Sequence, residues 1–432
     1  MKILIVSNTP WDDNNSFGNS FSNIFGNNSN YEIANIYCQP GYPNTKVCNK
    51  FFQITEKGII NTILRRQINS GQEINRNGYI ENNIVTLSEN DQKFLNKLKI
   101  FRWQLFFWIR DIIWSTGVWK SKSLDSFILD FQPDIVFLPI YYSSYLNQIG
   151  LYAKEISGVK MVGYISDDCY TLKQFSLSPL FWIDRLIKRL YIKKAIDKCQ
   201  ILYTITELQK EEYNEIFGNK CKVLFKGGDF KDSRDEYNLN KDQITFVYSG
   251  NLGSGRWKTL SLIAKAIEKL NNEKKYSKCQ LHIYSNTPLS KKAKESLQIN
   301  GVSILKDSVP YNKIKKIQRD ADVLIHVESF ELSERYSARL SFSTKIVDYL
   351  EAGRCILAVG WHNTGGINYL MQNDAAIIVV DRLKIYSSIK ELLSSNKIVE
   401  YSKKSYECGK NNHQIEKIRA KLYKDLLNLL YN

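Results

Sequence analysis

The chain has 432 residues, of which 43% are apolar and 24% charged, and its formal net charge is +16. This composition is typical of a globular protein of two or three domains and excludes a disordered or collagen-like chain. The positive charge favours an anionic partner, such as nucleic acid, a membrane surface or a phosphorylated small molecule, although a coding bias toward lysine is an alternative explanation.

The eight cysteines predict reduced, mostly buried thiols, because no two of them lie at C-x-x-C spacing. The first residues, MKILIVSNTP, do not form a secretory signal, since the apolar run Ile3–Val6 is too short. No stretch reaches the roughly 18 consecutive apolar residues of a membrane span. We therefore expect a cytoplasmic protein, with peripheral attachment to the inner face of the cell membrane as a further hypothesis.

The first half of the chain alternates short apolar runs with polar loops, which is the pattern of strands buried in a parallel sheet. Strands are predicted at residues 3–6, 133–139, 160–165, 201–205 and 221–225, another element begins at Phe21, and a helix begins at Glu207. A polar stretch without periodicity, residues 229–243, is predicted to be a linker. Residues 1–228 would therefore form a first, Rossmann-like domain.

The alternation restarts after this linker and predicts a second Rossmann-like domain over residues 244–405, followed by a basic helix over 406–432. Strands are predicted at 244–248, 280–284, 302–305, 323–327, 355–359 and 376–380, and helices at 259–270 and 344–351. The predicted fold class is thus α/β, with two sheets of similar size. They would face a central cleft, because ligands bind beyond the carboxyl ends of parallel strands.

A glycine-rich turn joins the first strand of the second domain to the following helix. Its candidate anion-binding residues are Gly250, Asn251, Gly253, Arg256 and Lys258. Glycines allow backbone N–H groups to approach an anion, the helix dipole favours negative charge, and an arginine offers a forked donor to phosphate oxygens. These features favour phosphate binding, and the alternative is an ordinary strand-to-helix loop that needs positive φ angles.

A second candidate site lies at the start of the helix predicted at 344–351. Ser343 or Thr344 would cap this helix, and Asp348 would lie on the same face as Thr344 and Lys345. The free N–H groups of the first turn could bind a phosphate, and the Asp348 carboxylate could accept two hydrogen bonds from a ribose. The alternative is a capped surface helix on which Asp348 is only solvated.

Together, these motifs resemble those of glycosyltransferases with the two-Rossmann GT-B fold, and most closely glycosyltransferase family 4. That family has a glycine-rich turn with basic residues at this place, and a motif E-G-F-G-x-x-x-x-E followed by A-x-x-x-G. When the chain is aligned on the closing glycine, Asp348 falls on the second glutamate and Phe342 on the phenylalanine. Ser341 and Ser343 replace the two glycines, and Leu340 replaces the first glutamate.

The resemblance implies a GT-B enzyme whose C-terminal helix crosses back to the first domain. In the family the second acid of the motif holds the ribose of the sugar nucleotide, and the first acid holds the donor sugar. Asp348 can keep the first of these roles. The contact with the donor sugar would come from Glu334, Arg339 or Glu328, or would be absent.

The resemblance also implies the reaction, which is transfer of a hexosyl group from a UDP-, GDP- or TDP-sugar with retention of the anomeric configuration. The sequence S-T-K-I-V-D-Y-L is similar to a variant found in bacterial polysaccharide glycosyltransferases. This implies a role in capsule, lipopolysaccharide O-antigen or exopolysaccharide synthesis, on a glycan acceptor such as one linked to undecaprenyl diphosphate. No cofactor and no metal are expected, because Arg256, Lys258 and Lys345 would meet the charge of the leaving diphosphate.

The first domain would bind the acceptor. Asn8 and Gly18 belong to the loop that the family places near the donor diphosphate. Asp167 and Asp168 end a predicted strand. Paired carboxylates can share a proton, so one of them could act as a base or bind an acceptor hydroxyl, and the alternative is a helix cap beside a solvated acid.

His326 and Glu328 end a predicted strand of the second domain. Both could line the donor pocket, and Glu328 is one candidate for the missing contact with the donor sugar. For His326 the alternative is a buried structural histidine, which is common in cores of this kind.

Two segments suggest contact with an anionic membrane surface. Residues 101–114 are rich in Trp and Phe, which suit the headgroup boundary, and residues 181–194 interleave apolar and basic residues at helical spacing. The alternative for each segment is a helix that packs in the core.

Two other functions are compatible with the sequence. The loss of the first acid at Leu340 would suit a non-catalytic partner of the same fold, which binds the acceptor or a sister glycosyltransferase. The net charge of +16 would suit a nucleic-acid-binding protein, but the basic residues are spread along the chain and form no nucleic-acid-binding motif. We therefore expect no nucleic-acid partner.

Overall fold

The computed structural model describes residues 1–26, 30–75, 104–231 and 242–431. Most of the predicted linker and the start of the aromatic segment, at residues 101–103, lie outside these ranges. Within them, the chain forms two α/β domains, each built around one mainly parallel sheet that is flanked by helices.

In the described ranges, the sheet of the first domain has eight strands in the order β4-β3-β2-β1-β5-β6-β7-β8, and only β4 is antiparallel to its neighbour. The strands are β1 (Lys2–Ser7), β2 (Glu32–Tyr37), β3 (Lys50–Ile54), β4 (Gly71–Asn75), β5 (Ile135–Pro139), β6 (Lys160–Ile165), β7 (Cys199–Thr204) and β8 (Cys221–Val223). The helices are α1 (Ser16–Phe25), α2 (Glu56–Ile63), α3 (Gln104–Ser115), α4 (Lys122–Phe131), α5 (Ser144–Ser157), α6 (Pro179–Lys198) and α7 (Glu207–Phe217).

The strands β2, β3 and β4 were not predicted from the sequence, because polar residues interrupt their apolar runs. Asn35 lies in the middle of β2 and is fully buried. Its Nδ2 donates to the Ile5 carbonyl oxygen (3.0 Å) and to Ser7 Oγ (3.1 Å) of the adjacent β1. These hydrogen bonds offset the cost of burying an amide, so a strand with a polar centre is stable here.

The sheet of the second domain has six strands in the described part of the chain, all parallel, in the order β11-β10-β9-β12-β13-β14. The strands are β9 (Gln243–Ser249), β10 (Lys278–Tyr284), β11 (Ser303–Lys306), β12 (Val323–Val327), β13 (Cys355–Val359) and β14 (Ile377–Val379). The helices are α8 (Arg256–Glu273), α9 (Lys291–Leu297), α10 (Tyr311–Asp320), α11 (Leu332–Ser337), α12 (Lys345–Ala352), α13 (Gly365–Gln372), α14 (Ile385–Leu393, after a 3₁₀ turn at Arg382–Lys384) and α15 (Lys397–Asn412).

The last helix, α16 (Ile415–Tyr431), crosses back to the first domain as the GT-B resemblance implied. Leu422 and Leu426 enter the core of that domain, and Asp425 accepts a hydrogen bond from the Tyr203 hydroxyl (3.0 Å). The boundary predicted at residue 406 falls inside α15, because α15 still packs on the second domain and the crossing is made only at residues 413–414.

The two passages between the domains run side by side. The Gly228 N–H donates to the His413 carbonyl oxygen (2.8 Å), and the Ile415 N–H donates to the Gly228 carbonyl oxygen (3.1 Å). In the described part of the chain, the two passages are therefore paired with each other by backbone hydrogen bonds.

All eight cysteines are buried and none forms a disulfide. Within the described ranges, the structure contains no helix that is both long enough and apolar enough to span a membrane.

Candidate functional site

A cleft of about 560 Å³ lies between the two domains, beyond the carboxyl ends of their central strands. Asn8 after β1, Tyr141 after β5 and Asp167 after β6 line it from the first domain. The ends of β9 and β12 and residues 341–345 line it from the second domain. The strand order reverses between β1 and β5 and between β9 and β12, and such reversals are where ligands bind in parallel sheets.

The glycine-rich turn between β9 and α8 needs glycine at two positions. Gly250 has a φ of 144°, and a Cβ there would overlap the ammonium group of Lys345. Gly255 has a φ of 72°, and a Cβ there would overlap the hydroxyl of Ser329. The turn is thus a strand-to-helix loop with positive φ angles, and the bare backbone at Gly250 also makes room for a cation from another helix.

Lys345 is the first residue of α12 and lies where the cleft meets a second, smaller pocket. Its Nζ lies 5.4 Å from the centre of the Tyr248 ring, and no side chain of the described ranges forms a hydrogen bond or ion pair with it. Burial and the neighbouring Arg256 charge lower the pKa of Lys345 to about 8. The ammonium group is therefore charged at neutral pH and lacks an anionic partner from the protein.

The start of α12 differs in detail from the prediction. Thr344 occupies the capping position, but its side chain accepts no hydrogen bond from the helix. The Ile346 N–H donates to the Ser343 carbonyl oxygen (2.9 Å), while no described group accepts from the N–H groups of Ser343 and Thr344. Because both residues line the cleft, these donors remain for a ligand beside Lys345.

Arg256 and Glu328 form an ion pair on the second-domain wall of the cleft, with 3.0 Å from Nε to Oε2 and 2.9 Å from Nη2 to Oε2. Burial raises the pKa of Glu328, although the Arg256 charge opposes this shift. Both side chains line the cleft.

His326 is only 5% exposed and also lines the cleft. Burial and the charges of Lys345 and Arg256 lower its pKa to about 3, so the ring is neutral at neutral pH. Its Nε2 lies 3.6 Å from Glu328 Oε1 and has no hydrogen-bond partner in the described part of the chain. A buried ring nitrogen without a partner is costly, which favours a ligand contact over a purely structural role.

The smaller pocket has a volume of about 480 Å³ and contains the predicted ribose-binding acid, Asp348, which is 8% exposed rather than solvated. Asp348 Oδ1 accepts hydrogen bonds from Lys226 Nζ (2.7 Å) and from the Tyr311 hydroxyl (3.0 Å). The other oxygen, Oδ2, accepts no hydrogen bond from the described residues, so one carboxylate oxygen is left for a ligand. Gly250 also lines this pocket, together with the polar residues Ser249, Asn251, Ser285, Asn286, Thr287, Ser308 and Gln318.

Asp167 and Asp168 do not form the pair of carboxylates that the sequence suggested. Asp168 is buried, and its oxygens accept from the Thr171 N–H (2.9 Å), the Thr171 hydroxyl and Gln174 Nε2 (3.1 Å). It therefore organises the loop after β6. Asp167 is exposed at the edge of the cleft, where its Oδ1 accepts from the Ser341 hydroxyl (2.7 Å).

Residues 336–341 of the second domain pack against the first domain, a contact that the sequence did not indicate. Leu340 is fully buried in the core of the first domain. Both terminal nitrogens of Arg339 bind the Glu212 carboxylate, with 3.0 Å for Nη2 to Oε1. The position that carries the first acid in family 4 is thus a packing residue at the domain interface in this chain.

The remaining predicted residues are more distant from the cleft or support its walls. Lys258 forms an ion pair with Glu331 on the surface and is not part of the lining of the cleft. Gly18 lies in the first turn of α1, where its N–H donates to Asn15 Oδ1 (2.7 Å) and a Cβ would overlap the Asp12 carbonyl. Asn8 lines the cleft and accepts a hydrogen bond from the Tyr145 hydroxyl (2.9 Å).

In the described ranges, no three or more His, Cys, Asp or Glu side chains are grouped so that they could hold a metal ion. The triplet Asp320-Ala321-Asp322 precedes β12 and so lies at the opposite edge of the sheet from the cleft. The Asp322 carboxylate accepts a hydrogen bond from the Thr245 N–H (2.7 Å), which is a structural role.

No protein-family model and no curated protein matches the chain. Solved structures do match it over nearly its whole length. The Anabaena protein HepE, in complex with UDP and glucose, has a TM-score of 0.61 at 10% sequence identity, with 99% of this chain and 100% of that chain covered. A mutant of S. aureus TarM, in complex with fondaparinux, alpha-GlcNAc-glycerol and UDP, has a TM-score of 0.60 at 11% identity, with 100% of both chains covered.

A trehalose-6-phosphate structure from E. coli, bound with UDP-2-fluoro glucose, has a TM-score of 0.59 at 10% identity and covers 99% of both chains. At such low identities the likeness shows the fold alone. The chain has the GT-B fold, with two Rossmann-like domains that face a cleft, and this prediction is confirmed. Membership of family 4 stays a prediction.

Proposed function

We propose that the chain is a glycosyltransferase that moves a hexosyl group from a nucleotide-diphosphate sugar to a glycan acceptor. The observation that carries the proposal concerns Lys345. Its ammonium group forms no ion pair with a carboxylate of the described residues and lies between two adjoining pockets. In a nucleotide sugar the diphosphate connects the nucleoside to the sugar, so it lies between the pockets that hold these two parts. Its negative charge needs a cation at that position. The GT-B fold supports the proposal, since HepE and TarM are similar structures that hold UDP.

In this proposal the nucleoside occupies the smaller pocket, and a ribose hydroxyl donates to Asp348 Oδ2. The diphosphate lies against Lys345 and the free N–H groups of Ser343 and Thr344. The sugar extends into the cleft toward His326 and Glu328, which supply the contact that the family makes with its first acid. The donor is a UDP-, GDP- or TDP-sugar, and its base contacts the residues around Ser285 and Ser308.

The chemistry derived for these residues is electrostatic stabilisation of the leaving group. As the glycosidic bond breaks, negative charge develops on the diphosphate and is met by Lys345, Arg256 and the N–H groups at the start of α12. For retention, the acceptor attacks from the leaving-group face, and the departing phosphate takes the acceptor proton. For inversion, Asp167 would be the base, because the Asp168 carboxylate is already surrounded by hydrogen-bond donors and by two arginines.

The acceptor and its biological setting are proposed from the resemblance and from the edge of the cleft. Asp167 and Ser341 lie where the cleft opens into a third pocket of about 460 Å³, which also contains Arg256 and Glu328. An acceptor entering there would reach the sugar-binding part of the cleft. The S-T-K variant of the motif supports a glycan acceptor of bacterial capsule, O-antigen or exopolysaccharide synthesis.

The test is a thermal-shift screen with UDP-, GDP- and TDP-sugars, followed by hydrolysis or transfer assays with the one that stabilises the protein. We expect Arg256→Lys, which keeps the ion pair with Glu328 but loses the forked donor, to lower turnover by about 10²–10³-fold. Asp348→Asn should weaken nucleotide binding, and it should also lower stability by about 3 kcal/mol, because the buried Lys226 loses its counter-ion. Lys291→Ala is the matched control, since Lys291 is fully exposed on the same domain.

Equal turnover in all these variants would refute the assignment of the site. A second candidate function, a non-catalytic partner of the same fold, is favoured by Leu340, since that position has lost the family's first acid. It predicts binding of the acceptor or of a sister glycosyltransferase, without turnover in the wild-type protein. Acceptor binding with neither nucleotide binding nor turnover would therefore refute the enzyme and support the non-catalytic partner.

A further inference from the structure

The helix α6 has an inverted pattern of burial over its first half. Its charged residues Asp184, Arg185 and Lys188 are buried, whereas its apolar residues face solvent. The exposed apolar side chains, each 47–67% exposed, are Leu180, Ile183, Leu186, Ile187 and Leu190. An ordinary surface helix shows the opposite arrangement, because burial of apolar side chains is what holds such a helix on its domain.

The buried charges are well satisfied, so this orientation of α6 is fixed by specific contacts. Lys188 binds Asp184 (2.9 Å) within the helix, and Asp184 also accepts from Trp108 Nε1 of α3 (2.9 Å). Arg185 Nε donates to the Thr171 carbonyl oxygen (2.8 Å) in the loop after β6. Rotating α6 to bury its apolar side would break these hydrogen bonds and leave charges unpaired.

The apolar side of α6 continues into a basic end. The stripe formed by Ile183, Ile187 and Leu190 leads, at the same helical spacing, to the exposed Lys193 and Lys194. The loop before the helix adds Leu177, which is 89% exposed. We call the exposed side chains of residues 177–194 the α6 face.

We infer that the α6 face docks on an anionic lipid bilayer. Apolar side chains that enter the headgroup boundary together with nearby lysines are the two signals that stable attachment of an interfacial helix needs. A second copy of the chain fits less well. A parallel pair of α6 faces would bring the lysine ends together, and an antiparallel pair would cover the lysines of each copy with apolar residues of the other. The acid beside these lysines, Asp197, is already bound to Lys193. A bilayer with anionic lipids satisfies both halves of the face.

The α6 face also borders the acceptor side of the cleft. Phe181, in the first turn of α6, lines the third pocket together with Asp167 and Arg256. Docking would therefore place the mouth of this pocket at the membrane surface. It follows that the acceptor is a glycan on a membrane-embedded lipid, a conclusion that rests on the proposed glycosyl transfer, whereas the docking itself does not.

The experiment is co-sedimentation of the full chain with vesicles of phosphatidylcholine alone or with equimolar phosphatidylglycerol. We expect binding to the anionic vesicles only, weakened by salt. Leu186→Glu with Leu190→Glu should abolish it, and Lys193→Gln with Lys194→Gln should lower it roughly 25-fold, at about fivefold per lysine. The matched control is Ile68→Glu with Leu383→Glu, since both residues are highly exposed apolar side chains elsewhere on the chain.

Three results would overturn the inference: no sedimentation of the wild-type protein with anionic vesicles, equal binding by the α6 variant and the control, or a dimer that only the α6 variant disrupts. Hydrolysis of a nucleotide sugar in free solution separates this inference from the proposed function. Loss of vesicle binding with retained hydrolysis removes only the docking surface, and vesicle binding without any turnover removes only the enzyme.

Discussion

Replacement of Lys345 by methionine tests the site through two effects of opposite sign. Methionine keeps the length and apolar stem of lysine but removes its charge. We expect the free protein to become more stable, because a partly buried ammonium without an anionic partner is unfavourable. We expect nucleoside diphosphates to lose most of their affinity, because the same ammonium is the proposed partner of the diphosphate.

The size of the stability gain can be worked from the pKa of Lys345. Its fall from 10.5 to about 8 corresponds to about 3 kcal/mol. The variant loses the contact with the Tyr248 ring, worth about 1 kcal/mol, and Lys345 keeps part of its surface in solvent, which reduces the gain further. A net gain of about 1–2 kcal/mol remains, or a rise in Tm of about 1–2 °C when the whole chain unfolds as one unit.

The difference in stability between the wild-type protein and the methionine variant should depend on pH. Unfolded lysine keeps its proton to about pH 10.4, whereas Lys345 in the folded chain loses its proton near pH 8. Between these values the unfolded state binds more protons, so the stability of the wild-type protein rises with pH and the advantage of the variant shrinks. The affinity of the wild type for UDP should fall as pH rises through about 8, by about tenfold per pH unit.

The assay combines thermal unfolding without ligand and calorimetric titration with UDP, GDP and TDP between about pH 6.5 and 9.5. The reasoning would be refuted by a variant that is less stable than the wild type and binds all three nucleotides with unchanged affinity. A wild-type affinity that does not change across this pH range would also contradict the role of Lys345.

Three further substitutions test neighbouring parts of the site. Gly250→Ala should displace the Lys345 ammonium and lower nucleotide affinity at least about tenfold. Gly301→Ala also falls at a positive φ (70°) but has open space around its Cβ, so it should leave the affinity unchanged in the same titration. Leu340→Glu should destabilise the protein by about 3 kcal/mol or more in denaturant unfolding. Increased sugar transfer by this variant would show instead that the position can serve as the family's first acid. His326→Gln should weaken the binding of a nucleotide sugar more than the binding of the bare nucleotide. The pKa of His326 is lowered to about 3 in the folded chain. The stability of the wild-type protein should therefore fall as pH drops below about 6.5, while that of the variant falls less.

Much of the fold could be predicted from the sequence because strand burial in a parallel sheet is a local property. The runs at 323–327 and 355–359 are continuous and apolar, and the structure has β12 and β13 at these residues. The start of α7 at Glu207 was also predicted. The strands that escaped prediction, such as β2, owe their stability to hydrogen bonds with a neighbouring strand, which a local pattern does not contain.

For the candidate site, too, local motifs could be predicted from the sequence and long-range contacts could not. The sequence alone placed Gly250 and Asp348 in a nucleotide-binding context, because each belongs to a motif within a few residues. It could not show that Lys226, 122 residues away, binds Asp348, or that Ser341 binds Asp167 across 174 residues. Which of the 60 lysines and arginines meets a given acid depends on how the two domains pack.

The α6 helix shows the limit most clearly. The spacing of its apolar and basic residues determined that one side would be apolar, and it left open whether that side faces the core or the solvent. The tertiary structure decided the question, because Trp108 donates a hydrogen bond to Asp184 and the Thr171 carbonyl oxygen accepts one from Arg185, which turns the charged side of the helix inward. A periodic sequence determines which side chains share a face, whereas the direction of that face depends on partners that lie far away in the chain.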